Sequence, residues 1–121
     1  QGIVPVMAPL THDGKGNILN TNADTIAGET AKGLAPFFDV TLVFCFEKKG
    51  VLSDENDDDS VIPVITPELF RKYTEEGVIQ GGMIPKLENS FSAIDNGVKQ
   101  VIIKQASDIG DVSAGTVIRN D

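Results

Sequence analysis

Lys86 lies in the string IQGGMIPKLEN, where two glycines precede a helix-like run. Glycines at that point let the free N–H groups of a helix's first turn come close to an anion, and a lysine one turn further on adds a point charge. The arrangement resembles an anion clamp. It is not a P-loop, because G-x-x-x-x-G-K-[ST] is absent. An exposed helix lysine behind a flexible turn would give the same letters, and the spacing alone leaves both readings open.

A second cluster is LNTNADT at 19–25, which gathers Asn20, Asn22 and Asp24 at a strand-to-helix junction. Open α/β sheets place ligands at such junctions. The alternative is structural: Asn22 or Thr21 caps the helix and Asp24 answers its dipole, worth about 1 kcal/mol together. A third is Glu47, Lys48, Lys49, Gly50, Val51 and Leu52, directly after the most apolar segment. A loop in that position could receive a nucleotide base or ribose, with a lysine meeting phosphate; a charged surface turn is the other reading.

Other motifs lead elsewhere. Asp54, Asn56 and Asp58 follow the first three spacings of an EF-hand, but Asp59 stands where glycine is needed and Ile65 where the bidentate glutamate belongs. The run 54–59 therefore reads as a solvated acidic loop, and no metal site is assigned. Gly14 and Gly16 do not form G-x-G-x-x-G. His12, the sole histidine, is expected on an exposed hairpin arm, and no serine or cysteine has a triad-like setting. The single cysteine, Cys45, sits in VTLVFCFE and reads as a buried, inert thiol of a reducing, cytoplasmic compartment.

A net charge of −8 disfavours nucleic acid and anionic membranes as partners. An anionic small substrate must then be met by local cations and helix N-termini. No apolar run approaches the roughly 20 residues that span a bilayer. With 40% apolar and 23% charged residues over 121 positions, one globular domain is expected. The first residue is not methionine and the opening already reads as a buried strand, so a preceding segment is expected.

The elements that must position these clusters follow from pattern. Residues 3–8 form a short apolar run bounded by Gly and Pro, a central strand with Pro5 at its start or at a bulge. Residues 10–20 flank Asp13-Gly14-Lys15-Gly16-Asn17, a hairpin signal. A helix is predicted from residue 23 to about 32, with Gly33 as its C′ residue. Residues 40–46 read as a strand covered on both faces, and a short strand is predicted near 61–65. In TPELFRKYTEEG, Thr66 caps, Pro67 takes the first helical position and Gly77 stops the helix. A helix over about 84–95, closed by Asn96-Gly97, and strands over 101–104 and 116–119 complete the chain. Strands alternating with helices predict a three-layer αβα sandwich with a mainly parallel sheet, plus the N-terminal β-hairpin.

Three ordered motifs, LNTNADT at 19–25, GVIQGGMIPKLENSFSAIDNGV at 77–98 and GTVI at 115–118, are similar along essentially the whole chain to the amino acid kinase family. Within it, they resemble the C-terminal, ATP-binding half of the members that phosphorylate N-acylated glutamate. The resemblance implies ATP-dependent phosphorylation of the side-chain carboxylate of N-acetyl- or N-succinyl-L-glutamate in arginine biosynthesis. It implies a catalytic pair, Asp24 and Lys86, with Lys86 stabilising the transferring phosphoryl group and Asp24 organising the catalytic lysines. Asn20 and Asn22 are implied on the acylated substrate, and Glu47, Lys48, Gly50, Leu52, Gln80 and Gly82 on ATP, with Mg²⁺ carried by the nucleotide.

The family's glycine-rich phosphate loops and its other catalytic lysine belong to an N-terminal half not represented here, so this chain alone is expected to be inactive, with that half and a homo-oligomer as partners. The chain also differs from many members in carrying Phe46-Glu47-Lys48-Lys49-Gly50 where they have an S/T-D-V-x-G turn, and Val117 where arginine is common. The alternatives are a carbamate or aspartate kinase relative, or a non-catalytic nucleotide-binding module.

Overall fold

The N-terminal turn is set by one carboxylate. Asp13 accepts from the Lys15 N–H and from Asn17 Nδ2, each at 2.7 Å, while Gly14 and Gly16 take φ values of 79° and 90° that side chains disfavour. These bonds hold the Asp13 carboxyl below its ordinary pKa, the Asn17 side chain contributing most. The strands so joined, β1 (Leu10–His12) and β2 (Ile18–Asn20), pair antiparallel. The computed structural model describes residues 2–20 and 22–120, the side chain of Asn20 excepted. Thr21, the alternative helix cap, lies outside the described residues.

Helix α1 (Ala23–Leu34) is capped by Asn22, whose side-chain oxygen accepts from the Asp24 and Thr25 N–H groups. It runs past the predicted end: Gly33 lies inside the helix with ordinary helical backbone, and the Ala35 N–H still reaches the Ala31 carbonyl at 3.0 Å. Gly33 is thus no C′ residue, because the chain there has no need of positive φ. Strands β3 (Thr41–Phe46), β4 (Val64–Ile65), β5 (Gln100–Gln105) and β6 (Thr116–Ile118) form one sheet in the order β3-β5-β6-β4. The β3–β5 and β4–β6 pairings are parallel and β5–β6 is antiparallel. With α2 (Pro67–Glu75) and α3 (Met83–Asp95) flanking the sheet, this is the α/β architecture the pattern predicts, hairpin included.

Helix α2 begins and ends as its sequence requires. Thr66 accepts from the Leu69 N–H, Pro67 opens the helix and Gly77 turns the chain at φ 77°. The core lies between helices and sheet: Leu87 and Ala93 of α3 meet Val101, Ile103, Ile118 and Ile65, all fully buried. Phe70 and Phe91 lock α2 to α3 with ring centroids 5.5 Å apart. Burial of each large apolar side chain supplies roughly 1.5–3 kcal/mol of the driving force.

Two further expectations are corrected. Residues 3–8 do not form a strand: Val6 is 93% exposed and Val4 84%. A strand needs a partner strand for its N–H and C=O groups; among the described residues no strand pairs with this segment, whose Met7 lies against Thr30 of α1, and Pro5 has no N–H to give. Likewise β3 is not covered on both faces. It is an edge strand, and Thr41 and Cys45 of its outward-pointing register are exposed, so the thiol is accessible and not buried.

Gly115 joins the last loop to β6 at φ 91°, and a Cβ there would lie 2.6 Å from the Ile103 carbonyl oxygen and 2.7 Å from Lys104 Cβ. Gly77 has a similar φ but open space around it. Gly77→Ala therefore incurs backbone strain alone, on the order of 1–3 kcal/mol, and Gly115→Ala must lose more, since rigid backbone of β5 blocks the methyl group. Urea unfolding of both variants checks the order; equal losses would contradict this packing.

Candidate functional site

Beyond the carboxyl end of β3 the chain leaves the sheet as Glu47-Lys48-Lys49-Gly50 and faces the N-terminus of α3. Between them lies a cavity of about 620 Å³, with Phe46, Glu47, Lys48, Gly50, Val51 and Leu52 on one side and Val78, Gln80, Gly82, Met83 and Lys86 on the other; Glu55 and Asn56 of the acidic loop contribute to its wall. A crevice outside the carboxyl end of a strand is where open α/β sheets bind ligands. Helix α3 is capped by Gly82, so no capping side chain occupies its first turn. Its first bonds, from the Met83 N–H to Gln80 at 3.4 Å and the Ile84 N–H to Gly81 at 3.2 Å, are long.

Lys86 stands one turn into α3 at the floor of this cavity. Its ammonium donates to Asp24 Oδ2 at 2.6 Å and lies 4.6 Å from the centroid of the Phe44 ring. The lysine side chain is only 15% exposed and that of Asp24 36%. Withdrawing an ammonium from water without compensation costs several kcal/mol. A carboxylate on one side and the negative face of a ring on another offset that cost and fix the direction of the long side chain. The carboxylate is itself held, since Asp24 is in the first turn of α1, where the helix dipole favours negative charge.

All six residues expected on a nucleotide, Glu47, Lys48, Gly50, Leu52, Gln80 and Gly82, line the same cavity as Lys86. Asp24 does not line it and meets the site only through Lys86. Asn22 is engaged as the cap of α1, as its structural reading holds, and is not among the lining residues. Asn20 joins β2 through its backbone, and its side chain lies outside the described residues. Lys49 turns away from the cavity toward Asp59, at 3.9 Å.

Phe44, Phe46, Met83, Glu55 and Asn56 are the residues that reasoning from sequence missed. Met83 adjoins the glycine pair and was within reach of that motif. Phe44 is one aromatic in an apolar strand, and nothing local couples it to a lysine 42 positions on. Glu55 and Asn56 arrive because Leu52 and Val61 form a bridge that folds the acidic loop back on itself; no local pattern announces it.

These features define a class: an α/β domain with a part-buried, oriented lysine at the floor of a cavity beyond a strand's carboxyl end. The chain belongs to the amino acid kinase family, whose profile matches residues 1–105. It is 78% identical over 119 residues to the acetylglutamate kinase of Phocaeicola vulgatus, covering 98% of this chain and 46% of that protein. To the acetylglutamate kinase of Bacteroides thetaiotaomicron it is 71% identical over 119 residues, with the same coverage. Among solved structures it is similar to smu.665 of Streptococcus mutans, with 33% identity and a TM-score of 0.75 over 97% of this chain and 43% of that one. The chain thus spans about half the length of the curated relatives it matches. Among the described residues no helix is long and apolar enough to cross a membrane.

Because Lys86 and Asp24 are partly withdrawn from water, their coupling in a double-mutant cycle of Lys86→Met and Asp24→Asn should be about 1–2 kcal/mol, above the roughly 0.5 expected of the more exposed pair that Lys32 makes with Glu29 on α1 at 3.2 Å. Denaturant unfolding of the four proteins measures it. Coupling indistinguishable from zero would mean the contact does not hold the lysine.

Proposed function

We propose that this chain is the nucleotide-binding, C-terminal half of a longer kinase that transfers the γ-phosphoryl group of ATP to the side-chain carboxylate of N-acetyl-L-glutamate, or of N-succinyl-L-glutamate, in arginine biosynthesis. The reading is supported by the family, by the relatives' names, and above all by the oriented Lys86 ammonium at the floor of the cavity. A carboxylate oxygen attacks the γ-phosphorus, the bond to the β-γ bridging oxygen breaks, and an acyl phosphate and ADP result. The attacking carboxylate is already ionised at neutral pH, so no general base is required. The difficulty is the approach of two anions on a chain of net charge −8, and catalysis reduces to positioning and local positive charge.

In this reading Lys86 stabilises charge on the transferring group. Asp24 acts through Lys86 as a positioning residue, fixing the direction in which its ammonium is presented to the terminal phosphate. Glu47, Lys48, Gly50, Leu52, Gln80 and Gly82 surround the nucleotide, whose Mg²⁺ enters with it as part of the substrate and neutralises phosphate charge. Asn20 and Asn22, immediately before α1, are assigned to the acceptor in this reading.

In the complete enzyme, Lys86→Ala and Asp24→Asn should each lower turnover by on the order of a hundredfold or more. Steady-state assays with N-acetylglutamate, N-succinylglutamate, aspartate and carbamate test both role and acceptor. Near-normal turnover in a variant would remove that residue's role, and activity with only aspartate or carbamate would remove the acceptor assignment.

A further inference from the structure

We infer that Thr116, which does not line the cavity, is a positioning residue for nucleotide binding: its hydroxyl pins the Gly50-Val51 wall to the base of the acidic loop. The inference rests on the proposed reading of the cavity as the nucleotide site. Three lining residues, Gly50, Val51 and Leu52, belong to a segment that has left the sheet, and its regular pairing reduces to the single Leu52–Val61 bridge. What holds it is a closed ring of buried bonds. The Val51 N–H donates to Thr116 Oγ1 at 2.9 Å, Thr116 Oγ1 donates to the Ile62 carbonyl at 2.6 Å, and the Ile62 N–H donates to the Val51 carbonyl at 2.8 Å.

Thr116 is fully buried in β6, and Val51 and Ile62 are buried with it. A hydroxyl has one hydrogen to give and accepts through its lone pairs; here it does both, between the two arms of one loop. The approach is so close that a Cβ on Gly50 would lie 2.8 Å from Thr116 Oγ1 and 3.0 Å from Val61 Cγ1. Gly50 has no positive φ, so space and not conformation demands glycine there. Beyond the pinned base, Ser60 Oγ donates to the Asp57 carbonyl at 2.6 Å and accepts from the Asp54 N–H at 3.0 Å. The loop that carries Glu55 and Asn56 to the cavity wall is thus ordered from Thr116 outward. Thr116→Val keeps the shape but leaves a buried N–H and a buried carbonyl short of a partner, a penalty the loop can relieve only by shifting.

The test is steady-state kinetics of the complete enzyme with Thr116→Val and Thr116→Ser, alongside thermal unfolding. Thr116→Val should raise the KM for ATP about tenfold or more, leave the KM for the acylated amino acid within about twofold, and change kcat less than the KM for ATP; Thr116→Ser should restore the ATP value. An unchanged KM for ATP, or equal rises in both KM values without rescue by serine, would overturn the positioning role while the kinase reading stands. Wild-type enzyme that neither binds nor uses ATP would overturn that reading instead, and this inference with it. Should Thr116→Val fail to fold, Thr116→Cys takes its place, since a thiol is a weaker donor and acceptor than the hydroxyl and stays outside the cavity: a selective rise in the KM for ATP supports the inference, and none overturns it.

Discussion

A single ammonium, largely removed from water, organises the site half of this molecule. Lys86 can be held there only if something nearby repays the lost hydration, and the chain provides a carboxylate from α1 and an aromatic face from β3. Those partners come from two elements that reach α3 by different routes, so the contact requires that α1, β3 and α3 be assembled correctly around the sheet. Packing and chemistry are therefore one constraint here. The buried face of α3, with Leu87 next to Lys86 in sequence and Ala93 two turns on, presses against β5 and β6, and that same seating aims the lysine at the cavity floor.

The second constraint is electrostatic. A protein of net charge −8 repels the anions that the proposed chemistry brings together, so its cations must be used locally. Lys86 and Lys48 meet the cavity, while the acidic run is folded outward by its own serine and aspartate hydrogen bonds. The acidic loop still contributes Glu55 and Asn56 to the wall, which makes the anchoring of its base at Val51 and Ile62 consequential for the shape of the site.

Much of this was legible before any coordinates. Thr66-Pro67 and Gly77 bounded α2 because caps and stops act within a turn or two, and the DGKGN turn fixed the hairpin for the same reason. The glycine pair and Lys86, with Asp24, pointed to a common site, and the two side chains are in contact. What failed depended on neighbours distant in the chain. Residues 3–8 have the composition of a strand, but composition does not supply a partner for it. Cys45 lies in an apolar run, yet its exposure follows from the position of β3 at the sheet edge. Gly33 resembled a C′ glycine, and only the continued bonding of Ala35 to Ala31 shows the helix running past it. Phe44 beneath the ammonium, and Thr116 behind the cavity wall, are tertiary facts with no local sign.

The account's central claim is that the cavity between the β3 loop and the start of α3 holds a nucleotide with its terminal phosphate facing an ammonium fixed by Asp24. A crystal structure of the complete enzyme with a non-hydrolysable ATP analogue, Mg²⁺ and the acylated acceptor tests it directly. The expected result has a γ-phosphate oxygen within hydrogen-bond distance of Lys86 Nζ and the Lys86–Asp24 pair intact. A nucleotide seated elsewhere, or a Lys86 turned from the phosphates toward solvent, would contradict it.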